Sequence, residues 1–204
     1  EDSGIPSVLN RYPPRLAKPM KTRQMTLNEV QGPNGPTAMY LNGMDMMAPA
    51  TEIAALGTTE QWNVVNTTMD THPMHLHLVQ FQLLNRQAFD LAAYTAAYET
   101  ANPMLPTMNP VSVPVEPYLI GSPVGPDANE TGWKDTFRMN PYEVTRVLIK
   151  FAPQDRTFGR QFSFDATAAP GYVWHCHILE HEEHDMMRPL LMTYPTPAIA
   201  AALG

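Results

Sequence analysis

Hydrophobic and polar positions alternate in short runs along most of the chain. In "EVTRVLIKF" (143–151), Thr145, Val147, Ile149 and Phe151 fall on one side and Arg146 and Lys150 on the other, the period-two pattern of a half-buried strand. "EQWNVVN" (60–66) and "HLHLVQFQLL" (75–84) alternate in the same way and are strand-length. "TAMYL" (37–41) runs into Asn42-Gly43, a hairpin turn signal. "RQFSF" (160–164), "GYVWHC" (171–176) and "RPLLMTY" (188–194) are further short strand candidates. The best helix signal is alanine-rich, "FDLAAYTAAYET" (89–100), and a proline-punctuated loop of about thirty residues (101–132) follows it. Many short strands separated by turn residues predict an all-β chain, an antiparallel sandwich or barrel with one short helix and long proline-rich loops.

Composition changes that picture only at the ends and in the choice of partners. The 204 residues suffice for one sizeable core, and no internal repeat is present. Residues 1–24 are proline-rich and basic-leaning and read as an arm or interdomain linker. The domain itself is expected over 25–195, with a flexible tail over 196–204. The chain opens EDSGIP, without initiator methionine or signal-peptide pattern, which fits a processed protein or a fragment of a longer one. A net charge of -7 argues against nucleic acid and anionic membrane as partners, and no apolar run reaches the length of a membrane span. One cysteine excludes an internal disulfide.

All seven histidines fall in two windows, "THPMHLH" (His72, His75, His77) and "HCHILEHEEH" (His175, His177, His181, His184), and the second holds the only cysteine, Cys176. Solvated loops that happen to be histidine-rich would be the bland reading, but a Cys/His cluster in strand-like sequence is a metal signature. In an extended segment successive side chains point to opposite faces. His175 and His177 would then point one way and Cys176 the other, so one segment would serve two sites. His75 and His77 share a face, and Pro73 is expected to interrupt the ladder and re-aim His72. A thiolate with two imidazoles and a distant thioether is a blue-copper ligand set; His181 stands five and Met186 ten residues after Cys176. The all-imidazole set His75, His77, His175 and His177 suits copper or zinc by itself, and copper beside a blue-copper set.

At "HPMHLH" (72–77) and "HCHILEHEEHDM" (175–186) the sequence resembles the multicopper oxidases: laccases, bilirubin oxidases and spore-coat laccases. "GTTEQWNVVN" (57–66) and "GWKDTF" (132–137) resemble the bacterial branch, and the resemblance covers roughly residues 35–195. It implies a cupredoxin-like Greek-key β-sandwich or barrel. It also implies His72, Cys176, His181 and the weak axial Met186 as ligands of a type 1 copper, His75 of a type 2 copper, and His77, His175 and His177 of a type 3 pair. His184 and Met187 match no ligand position. The family's trinuclear cluster uses eight histidines, and four come from two His-x-His motifs in an amino-terminal cupredoxin domain that this sequence lacks. The resemblance therefore implies a carboxy-terminal domain, a fragment or a chain completed by a partner, and inactive when isolated.

In such an oxidase Cys176 and His181 accept single electrons from a small reducing donor, such as a diphenol, for a cluster that reduces dioxygen to water. Glu182 follows His181 where bacterial laccases carry a glutamate near the cluster, and a carboxyl there can relay protons. An extracytoplasmic, secreted or spore-associated location is what the family implies. "MDMM" (44–47) resembles the methionine-rich segments of cuprous oxidases, although most methionines fill cores. "NTT" (66–68) and "NET" (129–131) fit the glycosylation triplet. Three rivals stand beside the oxidase. A single-site blue-copper electron-transfer protein leaves four histidines without purpose. A copper nitrite reductase does not need histidines on both sides of the cysteine. A metal-stabilised binding domain would hold zinc and show no blue colour.

Overall fold

The computed structural model describes residues 15–16, 18–154 and 161–203. Among these, ten strands form two five-stranded sheets. The strands are β1 (Lys21–Gly32), β2 (Gly35–Leu41), β3 (Glu52–Ala55), β4 (Thr59–Asn66), β5 (His72–Leu76), β6 (Phe81–Ala88), β7 (Thr136–Met139), β8 (Glu143–Lys150), β9 (Tyr172–Cys176) and β10 (Met187–Thr193). One sheet runs β2-β1-β4-β8-β6 and the other β3-β10-β9-β5-β7. From β4 to β9 each successive strand crosses to the other sheet, so local hairpins give way to long-range pairing and the expected all-β, Greek-key sandwich forms.

The inner faces supply the core. Trp62 of β4 meets Trp174 of β9 edge-to-face at 5.4 Å, and Phe81 meets Phe137 at 5.0 Å. Leu27, Val64, Met74, Val147, Ile149 and Leu190 fill the space around them with almost no exposure. Each such side chain stabilises the sandwich by about 1.5–3 kcal/mol relative to an exposed position. The outer face of the first sheet is covered by α1 (Leu91–Ala101), capped at its start by the Asp90 side chain, which accepts from the Ala93 N–H. Tyr94 and Tyr98 of α1 pack with Val65, Phe89, Val115 and Val144 in a second cluster. That is why β4 is buried along nearly its whole length rather than on alternate residues only.

Several expectations shift. "HLHLVQFQLL" is not one strand: the chain leaves the second sheet after Leu76, turns through Leu78 at φ +74°, and enters the first sheet at Phe81. "RQFSF" forms no strand over 161–164, and Arg160 lies outside the described residues. Asn42 and Gly43 do form a tight turn with both φ values positive, 58° and 66°, but it closes a single bridge between Leu41 and Met44. The hairpin partner of β2 is β1, across Gly32–Gly35. The sheet begins at Lys21, inside the segment expected to be an arm, because Lys21–Leu27 pairs in parallel with Glu60–Asn66. Pro197–Leu203 is a helix, α3, where a flexible tail was expected. No helix among the described residues is long and apolar enough to cross a membrane.

Candidate metal centre

Strands β5 and β9 lie side by side, antiparallel, with Met74 opposite Cys176, His75 opposite His175 and Leu76 opposite Trp174. Alternation along both strands then sorts their side chains. His72, Met74 and Leu76 point into the core together with Trp174 and Cys176, while His75, His77, His175 and His177 share the other face. Pro73 does not re-aim His72. It sits within β5, opposite Arg138, its carbonyl accepts from the His177 N–H, and plain alternation places His72 inward.

The inner set is closed. The helix α2 (Leu179–Glu183) follows β9 immediately and brings His181 back over Cys176. The Nδ1 atoms of His72 and His181 lie 3.1 Å apart, and each is 3.7 Å from Cys176 Sγ. A metal held trigonally with bonds of about 2.0 Å to nitrogen and about 2.3 Å to sulfur would need edges of about 3.5 and 3.7 Å. Two nitrogens and a thiol therefore already stand at nearly the spacing of a metal's donors. Main-chain bonds tie in Met186: its carbonyl accepts from Cys176 N–H at 2.9 Å, and its N–H donates to His181 O at 3.0 Å. Met186 is fully buried, as are His72 and Cys176.

The remaining nitrogen of His72, Nε2, meets Thr68 Oγ1 at 2.6 Å and stands 3.6 Å from Glu29 Oε1. Thr68 is held by Asn66 Oδ1, and the Asn66 amide donates to the carbonyls of Asp70 and Met139. This fixes the ring so that Nδ1 faces the thiol, the usual way an outer partner orients a metal-binding imidazole. Asn66 is fully buried with its amide engaged, so the "NTT" triplet is closed to glycosylation in the folded chain, whereas Asn129 is exposed. Burial, with His181 adding to it, lowers the His72 pKa to about 4 and keeps the ring a neutral donor. Burial also pushes the Cys176 thiol up to about 11, against the Ile178 N–H that lowers it. Metal binding at this set would release the thiol proton.

The outer set is open. His77 Nε2 and His175 Nε2 lie 3.2 Å apart, and the His75 ring is 5.1 and 5.4 Å from theirs. His75 Nδ1 is taken by Asp135 O at 2.9 Å and Thr136 Oγ1 at 3.1 Å. His175 Nδ1 is taken by Cys176 O at 2.9 Å, with Glu182 Oε2 at 3.3 Å. Both rings thus turn Nε2 towards the shared space, beside a cleft of about 320 Å³ lined by His75, His77, Leu78, Gln80 and Asp135. Burial lowers the His77 pKa, and the neighbouring imidazoles lower it further. His177 is exposed, with its ring 5.4 Å from His175 and 5.7 Å from His75. The structure brings His75, His77 and His175 within metal-sharing distance and leaves His177 at the rim of the group. His184 and Met187 join neither set: His184 bonds the Glu180 carbonyl, and Met187 pairs with His175 in the sheet.

The multicopper oxidase family model matches residues 16–194. The chain belongs to the multicopper oxidase family. Among its relatives, this multicopper oxidase domain is 38% identical over 194 residues to the multicopper oxidase LPR2 of Arabidopsis thaliana, covering 94% of this chain and 32% of the relative. It is 36% identical over 196 residues to a laccase of Bacillus subtilis, covering 96% of this chain and 32% of that protein. Its fold matches the crystal structure of a multi-copper oxidase from Pediococcus acidilactici with a TM-score of 0.60 at 24% identity, over 96% of this chain and 31% of that one. The chain thus spans about a third of the length of the relatives it matches. Family membership implies copper, and both donor sets fit it: soft thiolate with imidazole inside, imidazole alone outside.

Outer partners such as Thr68, Asn66, Glu29, Asp135 and Thr136 escaped sequence reasoning. Asn66, Asp135 and Thr136 fall inside the quoted "GTTEQWNVVN" and "GWKDTF" segments and Thr68 in "NTT", but nothing in those segments points to a contact with a histidine.

Proposed function

We propose that this domain is the electron-accepting, carboxy-terminal part of a laccase-like oxidase and supplies half of the site at which dioxygen is reduced to water. One observation carries the reading: the β5–β9 pair gathers a thiol and imidazoles on its inner face, with His181 added from α2, and imidazoles alone on its outer face. His72, Cys176, His181 and Met186 would hold a type 1 copper; His75 would hold a type 2 copper, and His77, His175 and His177 half of a type 3 pair. Copper at these sets would supply one-electron acceptance from a reducing donor inside and dioxygen reduction outside.

The chain's own residues prepare both sites. Burial of Cys176 and His72 excludes water from the inner set, and Thr68 orients the His72 ring. Cys176 is joined to His175 and His177 by single peptide linkages, so the two sets are covalently continuous. Glu182 Oε2 lies 3.3 Å from His175 Nδ1 and would hold a proton for the oxygen chemistry at that edge. A cleft of about 450 Å³ lies beside Thr68 and reaches Glu29, Asp70, Tyr98, Glu99 and Leu105, and a small donor would approach the inner set through it. The histidines completing the outer set would come from amino-terminal cupredoxin domains of the same protein or of a partner chain.

Oxygen uptake tests the reading. The copper-loaded chain should turn blue, carry metal on the inner set, and fail to consume dioxygen with a phenolic donor. Steady turnover by a verified monomer would contradict a half-site. Turnover confined to an oligomer would mean that chains complete one another. Blue colour with no metal ever retained on the outer face would favour the single-site electron-transfer alternative.

A further inference from the structure

The methionine-rich "MDMM" run and the fully buried Arg188 are left unused by the proposed function, and they meet at one place. Met44 is 1% exposed and Met47 89%, so the run presents no common thioether face to a metal. Its backbone is what is held. Arg188 of β10, fully buried, donates from Nη1 to Asp45 O at 2.6 Å and Ala48 O at 2.8 Å, and from Nη2 to Pro49 O. The turn fixed in this way reaches over to the segment after α2. Met46 N–H donates to Asp185 Oδ1 at 3.3 Å, and just ahead of the turn Met39 N–H donates to His184 O at 3.1 Å. Asp185 adopts a φ of +71°, a left-handed bend that few residues other than glycine, asparagine and aspartate enter readily. The next residue is Met186, whose carbonyl and N–H bond Cys176 and His181.

We propose that the Met44–Pro49 turn is a buckle: fastened by Arg188, it grips the Asp185 carboxylate and thereby fixes the bend that carries Met186 against the inner metal set. Asp185 is a positioning residue, acting through Met186 on the ligands Cys176 and His181. The proposal rests on the copper reading of that set for its electrochemical consequence, but its mechanical half concerns the metal-free chain.

Two variants separate the bend from the grip. Asp185→Gly keeps the positive φ at no steric cost and deletes the acceptor. Asp185→Asn keeps both the acceptor oxygen and tolerance of the left-handed region. In the metal-free chain, amide exchange at Cys176 and Met186 should quicken by about tenfold in D185G, the loss of one hydrogen bond. Val147 and Ile149 in β8 should be unchanged, which excludes global loosening. In the copper-loaded chain, D185G should stay blue with a raised reduction potential, because a loosened thioether donates less to Cu(II). D185N should match the parent in both measurements. D185G indistinguishable from the parent in exchange and in potential would overturn the buckle and leave the copper reading intact. A parent chain that never turns blue, with exchange still faster in D185G, would overturn the copper reading and uphold the buckle.

Discussion

The two faces of the β5–β9 pair share one backbone, yet one gathers a thiol and imidazoles inside the core and the other gathers imidazoles alone beside an open cleft. On the inner face the third donor, His181, arrives from α2, within the chain, and the core buries His72, Cys176 and Met186 completely. On the outer face His75, His77 and His175 converge beside an open cleft and His177 stands exposed at its edge. Alternation along a strand distributes donors evenly between faces; completion depends on what each face meets next. Inside, that is the opposite sheet of the same domain. Outside, it is an open cleft.

The sharpest way to break the comparison is Cys176→Ser. The variant should lose the intense thiolate-to-copper band entirely, since a hydroxyl does not replace a soft thiolate, while metal retained on the outer histidines stays unchanged. Visible absorption and metal content read both, and a serine variant that stayed blue would refute the inner assignment.

A substitution in the shared scaffold should touch both faces alike. Arg86 grips Glu130 through two bonds of 2.6 and 2.7 Å and also donates to Arg138 O, thereby bracing β7, the neighbour of β5. Glu130→Gln strips the charge from this buried pair and should cost about 3 kcal/mol by chemical denaturation, lowering metal retention on the two faces in parallel. The bonds from Arg86 hold the Glu130 pKa at about 2, against an ordinary 4.5. A carboxylate depressed on folding contributes its stability above pH 4.5 and loses it as pH falls from there towards 2. The parent should therefore show a steeper acid decline over that window than the variant, and equal slopes would remove Glu130 from the account.

Thr68→Val should sharpen the contrast further. It removes the hydroxyl that orients His72 with little change of shape, so inner-set copper affinity should fall about 10–100-fold while the outer set is spared. Thr68→Ser should restore it. The smallest effect is expected from Met186→Leu: the centre stays blue and its reduction potential rises, as measured by redox titration. A fall in potential, or loss of the metal, would show that Met186 is not a weak axial ligand.

Much of this was readable before any fold was known, and the reason is local. His75 and His77, like His175 and His177, are two residues apart, and period two alone sends Cys176 to the opposite face. What holds each imidazole was not readable, because Asp135 and Thr136 reach His75 through the pairing of β5 with the distant β7, and Glu29 reaches His72 from the opposite sheet. The break inside "HLHLVQFQLL" was hidden for another reason. Its apolar spacing runs straight through a turn made at Leu78, a residue that carries no turn signal. Strands β3 and β7 are four residues each, too short for a period to register.

Asn66 makes the inner site sensitive to how the protein is produced. Its triplet invites an oligosaccharide, yet its amide is sealed in the wall that steadies His72. In a host that attaches glycans during synthesis, transferase and collapsing sandwich would compete for one side chain. A sugar attached first would keep Asn66 from closing the wall behind Thr68 and His72, so the yield of blue protein from such a host would measure which process is faster.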